Sequence, residues 1–595
     1  MKKFKNLISI FLVMALVLGT ITGCSSSVPE QQKQNNESSA KYKSGTYTST
    51  QQGMGGKFDI NVTFSDDSID SIEAEDNNET LMVGTEAIKI LSERIIENQS
   101  LNVDVVSGAT YSSYALINGV KDCVKQSEGD LDALMATPVA IDTYDDLSHE
   151  ADIIIVGGGL AGVTTAISAV QNGGNVILLE AKEYLGGNSV LSTGTFQLGG
   201  TTIQKNLGID DDPETFYNWI LSNSNNTKDP VQAEWVAYHS QDLIDFYSTM
   251  GVNFNTEKVN STDGSEINRG HALSPNIGTA VSSLVEYMDE IGVDVRYSTR
   301  VESFILDESN NIIGVNATDY NGNQVEYYGN KIVLASGGWG DNNNMITENW
   351  GSDYDGLVYG GSVGMDGTML NAAVALGADT EDMNDPHIDA TLEVTRGITI
   401  TTNVLRNCGG ILIRQSTGER FADEQASHSE IAAEAMHELG DEYYYEIFDK
   451  NALNYSEAVT SKIESYINMG LTTEYDSIES MAEGIKVDAD VLTKTLDAYN
   501  SAVRGETEDE FRRERFYEEL KAPYYVMKVS NGVACTTGGL KINENMQVVK
   551  NDGNAFDNLY AIGEIAGGYL INYVGGDSLS RSSISGMLLG REIVK

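Results

Sequence analysis

The run Gly157-Gly158-Gly159-Leu160-Ala161-Gly162 follows the apolar segment Asp152-Ile153-Ile154-Ile155-Val156 and precedes an apolar helical stretch that continues through Val170. That order suits a phosphate cradle. Gly157 makes the tight turn, Gly159 lets a pyrophosphate approach the backbone, and Gly162, next to Ala161, lets helix and strand pack. A second strand, Asn175 to Leu179, ends in Glu180, about 20 residues on, where an acid bonds ribose hydroxyls. A glycine motif alone is weak. Set between a strand and a helix, with the acid closing the second strand, it specifies a dinucleotide unit but does not choose FAD over NAD. A second signal is Asp104-Val105-Val106-Ser107-Gly108-Ala109-Thr110, a hydroxyl behind three small residues, ahead of a helical run from Ser112 to Lys125. On residues alone this is equally a strand–turn–helix cap with Thr110 or Ser112 as N-cap. The four cysteines, Cys24, Cys123, Cys408 and Cys535, show no CxxC or CxxCH spacing. The chain therefore offers no visible haem or iron–sulfur carrier and no obvious disulfide framework.

These groups need elements to hold them. A length of 595 residues, at about 150 per domain, allows two to four domains. Apolar residues at 41% suffice for real cores. With 38 basic and 88 acidic residues the formal charge is -50. Such a surface repels phosphate backbones, which argues against a nucleic-acid partner and for a soluble, non-sticky exterior. Residues 1–24 read as an export signal: Lys2, Lys3 and Lys5 precede the apolar run Ile8 to Leu18, too short for a membrane span of about 20 residues. Residues 25–43 are polar and read as a flexible tether. Residues 44–130 form the first folded unit. Strands are expected at 45–49 and 57–64, the latter with Phe58, Ile60 and Val62 on one face, and a helix over 83–98 through Ile88, Ile90, Leu91 and Ile95. Residues 131–150 read as a linker.

Three stretches resemble known families. Ile21-Thr22-Gly23-Cys24 resembles the lipobox of bacterial lipoproteins. This implies a diacylated Cys24 and an anchor on the extracytoplasmic face of the cell membrane, where two acyl chains hold stably at about 0.8 kcal/mol per CH₂. The heptapeptide ending in Thr110 resembles the flavinylation motif of FMN-binding domains, as in subunits of sodium-pumping quinone reductases. It implies that a flavin transferase joins FMN covalently to Thr110 through a phosphoester, beside a helix N-terminus that favours the phosphate charge. Covalent attachment keeps an exported cofactor at high effective concentration. Over about residues 150–595, Leu185-Gly186-Gly187-Asn188-Ser189, Thr193-Gly194, Ala335-Ser336-Gly337-Gly338 and Leu559-Tyr560-Ala561-Ile562-Gly563-Glu564 resemble the succinate dehydrogenase/fumarate reductase flavoprotein family. Its soluble extracytoplasmic members include flavocytochrome fumarate reductases and urocanate reductases. The resemblance implies an α/β and α+β fold: a Rossmann-type FAD domain at 151–383 and 536–595, with an inserted capping domain at 384–535, preceded by the small α+β FMN-binding domain. It also implies non-covalent FAD. Asn188 and Ser189 would lie near the flavin, with Thr193, Gly194 and Gly338 in the adjoining loops and Glu564 near the ribityl chain. Gly575-Gly576-Asp577-Ser578-Leu579 would offer backbone amides to the pyrimidine edge, ahead of a helix at 583–593.

The chain departs from the family where substrate binds. After Gly418-Glu419-Arg420-Phe421-Ala422-Asp423-Glu424, the family's proton-donating arginine is replaced, counting without a gap, by His428. Cys535 stands for a histidine, Tyr573 for a carboxylate-binding arginine, and Asn403 for a relay glutamate, while the neighbouring Arg406 persists. Losing two bidentate carboxylate binders argues against fumarate and weakens urocanate. A neutral or single-carbonyl enone, or a bulkier enoate, is expected instead. Tyr573 would polarise its carbonyl and His428 or Tyr573 would supply the proton. Three readings stand: a reductase fed through FMN by a quinol or flavin-based membrane donor, a ketosteroid-type dehydrogenase running oppositely, and a non-catalytic electron-carrying lipoprotein.

Overall fold

The computed structural model describes residues 40–595 apart from 75–76, 142–143, 145–146, 262–264, 395–404, 407, 427, 441, 454–456 and 514–517. Cys24, with the rest of the export segment, and Asn403 lie outside the described residues. Among those described, no helix is long and apolar enough to cross a membrane.

The first unit is a three-stranded antiparallel sheet, Gly45–Gln52, Lys57–Phe64 and Ile69–Glu73, covered by helices Gly84–Asn98 and Thr110–Gln126. Alternation decides which face is covered: Phe58, Ile60, Val62 and Phe64 are buried, and the residues between them are exposed or half-buried. Gly119 lets the second helix lie directly on the sheet, since a Cβ there would meet Ile60 Cδ1 at 2.4 Å. This helix starts at Thr110, two residues before the expected Ser112, and neither Thr110 nor Ser112 is its N-cap. Ser113 ties the turn instead. Its hydroxyl accepts the Val106 N–H at 3.1 Å and donates to Ala109 O at 2.9 Å, while Ser112 donates to Glu79. The Thr110 side chain is left facing solvent.

The large sheet runs Arg300–Leu306, Ile312–Thr318, Gln324–Leu334, Glu150–Val156, Val176–Leu179 and Asp294–Arg296, with Ala555–Ala561 returning parallel to Gln324–Leu334. Its central strands are buried on both faces, which explains their unbroken apolar runs. Helix Leu160–Gln171 packs against the last helix, Asp577–Glu592. Their backbones nearly touch: a Cβ on Gly586 would meet Ala161 O at 2.7 Å. The last helix starts six residues before the expected Ser583, because Gly576, at φ 96°, turns the chain and Asp577 opens the first turn. Ser578 and Leu579 are thus helical.

A second sheet forms the capping domain. Strand Tyr524–Val533 pairs with Tyr444–Asp449, Asp389–Glu393, Thr472–Tyr475 and Val358–Tyr359, and Ile411–Arg414 adds beyond Tyr444–Asp449. Tyr444 and Phe448 face an inner core with Leu405, Phe421 and Ile431, whereas Tyr445 and Ile447 face an outer core with Leu492 and Tyr499.

The first unit is seated on the large sheet's half of the molecule. Arg94 pairs with Glu183 and its guanidinium lies 5.3 Å from the Tyr320 ring centre. A Cβ on Gly278 would meet Leu81 Cβ at 2.4 Å. One apolar cluster runs from Phe58 and Leu116 through to Ile153 and Leu178.

Candidate functional site

A cavity of about 360 Å³ opens at the carboxyl ends of the central strands, lined by Gly157, Gly159, Glu180, Asn188, Glu564 and Ser578 among others. Its floor is backbone. A Cβ on Gly157 would meet Ala335 O at 2.4 Å, and one on Gly162 would meet Gly157 O at 1.9 Å, so both positions exclude any side chain. In front of Gly159, by contrast, nothing lies within 4 Å of a Cβ position. Helix Leu160–Gln171 starts there, with Ala161 in its first turn, and aims free N–H groups and a partial positive charge into the space. The buried Glu180 carboxylate accepts the Gly158 N–H at 2.6 Å and the Lys182 N–H at 2.8 Å, which fixes it at the end of the second strand. Burial pushes this carboxyl up against the pull of those bonds. An open cradle, a helix N-terminus and a positioned acid fit FAD.

The other end of the cavity is held by side chains. Asn188 donates to Glu564 at 3.0 Å and accepts the Ser362 N–H at 2.6 Å. Glu564 also accepts the Thr536 N–H at 2.8 Å. Gly338 sits against both, since a Cβ there would meet Thr536 Oγ1 at 2.1 Å and Glu564 Oε1 at 2.3 Å. Ser189 begins a short helical turn, and Thr193-Gly194 leads into strand Thr195–Gln197. The Gly576 turn packs on that strand: a Cβ there would meet Gln197 N at 2.8 Å. Asp577 holds the turn through a buried ion pair with Lys228 and by accepting the Val574 N–H at 3.1 Å. Lys228 was not foreseen from sequence, where a lysine before Asp229-Pro230 reads only as a helix approach.

The Ser107–Thr110 turn meets the same cavity. Ser107 lines it, and a Cβ on Gly108 would lie 2.6 Å from Tyr184 Oη and 3.3 Å from Lys182 Nζ. Thr110, the first residue of its helix, is exposed beside Tyr111 and Tyr114, which are also exposed. An accessible hydroxyl at a helix N-terminus fits a phosphoester-linked FMN.

Toward the capping domain, Tyr573 packs on His387 with ring centres 4.7 Å apart. Burial pushes the Tyr573 phenol far up, with Cys535 and Asp577 adding to the rise, so it stays a neutral donor. The Cys535 thiol is likewise raised by burial, then by Glu564 and Asp389. It is no thiolate nucleophile. The structure thus groups Tyr573 and Cys535 at the flavin end. Arg406 lies in the capping domain, buried, with its guanidinium donating to Glu424 O at 3.2 Å. His428 opens helix His428–Leu439, which packs on strand Asp389–Glu393; its side chain is outside the described residues. Sequence reasoning missed His387, which packs on Tyr573 with no periodicity linking the two positions.

Residues 152–579 match the family described as FAD binding domain, and residues 53–125 match the FMN-binding domain family. The NADH:fumarate oxidoreductase of Klebsiella pneumoniae is 28% identical over 93% of this chain, which spans 59% of that protein. The urocanate reductase of Eggerthella lenta is 26% identical over 91% of each chain. A flavocytochrome c3 fumarate reductase in its open conformation shares the fold, with a TM-score of 0.66 at 23% identity over 76% of this chain and 81% of that one.

Proposed function

The chain belongs to the FAD binding domain family and carries an FMN-binding domain ahead of it, and from this premise we propose that it is an exported flavin-dependent reductase of unsaturated organic acceptors. Thr110 would hold FMN joined by a flavin transferase, which would supply electrons drawn from a quinol or flavin-based membrane donor, and a diacylated Cys24 would hold the enzyme on the extracytoplasmic face. The observation that carries this reading is the meeting of the two cofactor regions: Ser107 of the flavinylation turn lines the dinucleotide cavity. Enzymes named for fumarate and urocanate reduction among the relatives support the reaction class.

Bound FAD supplies hydride transfer to an activated C=C bond and bound FMN supplies the electrons. The protein does the rest. Gly157, Gly159 and Gly162 admit the pyrophosphate, Glu180 holds the ribose, and the Asn188–Glu564–Thr536 set orients the flavin end. The first turn of the last helix, with Ser578 and Leu579, favours negative charge there. Tyr573, neutral and packed on His387, donates one hydrogen bond to the acceptor's carbonyl. His428 stands as proton donor, and Cys535 walls the pocket. The capping domain keeps water from the reacting carbons. A single tyrosine suits an enone or bulky enoate better than a dicarboxylate.

The test is to reduce flavinylated protein with viologen and offer fumarate, urocanate, cinnamates and cyclic or steroid enones. Reoxidation by a cinnamate or enone, with little by fumarate, is expected. Strong fumarate turnover overturns the pocket reading, and no turnover of any of them leaves a carrier. Tyr573 in place of an arginine also favours a second reading, a ketosteroid-type dehydrogenase, which reduction of the enzyme by a saturated ketone would establish.

A further inference from the structure

The last helix begins with an acid beside the dinucleotide cavity. Asp577 is the acidic residue of its first turn, and Ser578, next along, lines the cavity. A carboxylate there offsets the partial positive charge that a helix N-terminus offers to an electron-rich ligand. It is almost fully buried, so water does little to screen it. Lys228 answers that charge. Its side chain is 3% exposed and its ammonium pairs with Asp577 Oδ2. The same oxygen accepts the Val574 N–H at 3.1 Å. The ammonium also lies 4.5 Å from the centre of the Tyr569 ring.

Lys228 reaches this spot because its segment is fastened to the loop that carries Tyr573. Residues 224–229 link helix Pro213–Asn223 to helix Pro230–Tyr238. The Asp229 N–H donates to Gly568 O at 2.6 Å. Asn572 Nδ2 donates to Thr227 Oγ1 at 2.8 Å and to Ser224 O at 3.3 Å. Gln232, in the first turn of the second helix, donates to Gly567 O at 2.9 Å. These bonds hold the loop from Gly567 to Asn572, and the Lys228–Asp577 pair holds its far end, with Tyr573 between them. Asn572, just before Tyr573, is kept at φ 51°, in the left-handed region. Removing one partner of a buried ion pair leaves the other charge uncompensated. Here that charge would stand at the cavity wall, where a reduced flavin is itself negative.

We propose that Lys228 is the charge-balancing residue of the flavin site. By neutralising Asp577 it keeps the start of the last helix electropositive toward the cavity and so holds the reduction potential of bound FAD up, while its segment clamps the loop that presents Tyr573. This rests on the reading that sets the isoalloxazine at the Ser578 end of the cavity, and it is independent of which acceptor is reduced. Lys228 touches no reacting atom and is a positioning residue. Because the intact pair carries no net charge, its two halves act on the potential with opposite sign.

Spectroelectrochemical titration of the full chain in a Thr110→Ala background, loaded with FAD alone, tests it. In Lys228→Met, reduction of FAD should become roughly tenfold less favourable, which for a two-electron couple is about 30 mV more negative. Asp577→Asn should shift the potential the other way, and Lys228→Met with Asp577→Asn should return it to the parent value. Unchanged potentials in both single variants overturn the proposal, as do single variants that shift in the same direction. A double variant that stays with Lys228→Met overturns it too, since a disturbed fold rather than charge would then move the flavin. If Lys228→Met does not fold, Asp577→Asn decides alone: a raised potential supports the pair, and an unchanged or lowered one refutes it. A parent chain that binds no FAD, seen in its flavin-to-protein ratio, would instead sink the cofactor reading.

Discussion

At the dinucleotide cavity the protein presents backbone: Gly157, Gly159 and Gly162 act by having no side chain, and all three lie within six consecutive residues. Toward the capping domain it presents side chains, and Tyr573, Cys535, His387 and Asp389 come from three separated segments. The first region can recognise only what every dinucleotide shares. On the proposed reading, the second would set which acceptor is reduced. A family can therefore keep the first and exchange the second, as the replacements at His428, Cys535 and Tyr573 illustrate.

The contrast is broken most severely from the glycine side. In Gly162→Val a Cβ meets Gly157 O at 1.9 Å. Overpacking at backbone contact costs about 1–3 kcal/mol or more, and here it also closes the cradle. The variant should purify without FAD, seen in the flavin-to-protein ratio; full FAD content would refute the backbone account. Thr110→Ala should keep FAD but lose the covalent flavin, leaving one flavin per chain after denaturation and removing turnover driven by the membrane donor. On the side-chain region, Tyr573→Phe removes one hydroxyl and should lower kcat by about 10²–10³-fold with FAD content unchanged. An unaltered kcat would make Tyr573 only a wall.

A pH-dependent effect falls on stability. Glu446 rises from the ordinary carboxylate value of 4.5 to about 8 on folding. The folded state must therefore hold a proton that the unfolded chain releases. Wild type should lose stability relative to Glu446→Gln as pH rises through that window, by about 1.4 kcal/mol per pH unit, with the difference levelling off above pH 8. Denaturant titrations at several pH values measure it, and a constant difference would mean that the carboxyl is not protonated in the folded chain.

The same contrast explains what the sequence disclosed. The glycine turn, Glu180 and the strands around them were legible because the whole unit spans some thirty neighbouring residues with fixed spacing. The three-stranded sheet under two helices was legible from the alternation of Phe58, Ile60 and Val62 and the spacing of Ile88, Leu91 and Ile95. The start of the last helix was misplaced because Gly576 reads as a plain turn until its ion-paired neighbour Asp577 is seen to begin the helix. The packing of His387 on Tyr573 was not legible at all, since 186 residues separate them and no periodicity links them. The seat of the flavinylation turn against Lys182 and Tyr184 was hidden for the same reason.

That seat matters most, because it would make an FMN on Thr110 and an FAD in the cavity neighbours. The most direct measurement is stopped-flow reduction of the doubly flavin-loaded chain beside Thr110→Ala. The account predicts two flavins per chain in wild type, with electrons that reach FMN appearing on FAD within a turnover, and loss of that route in the variant. A wild-type chain that carries one flavin, or two that do not exchange electrons, would contradict it.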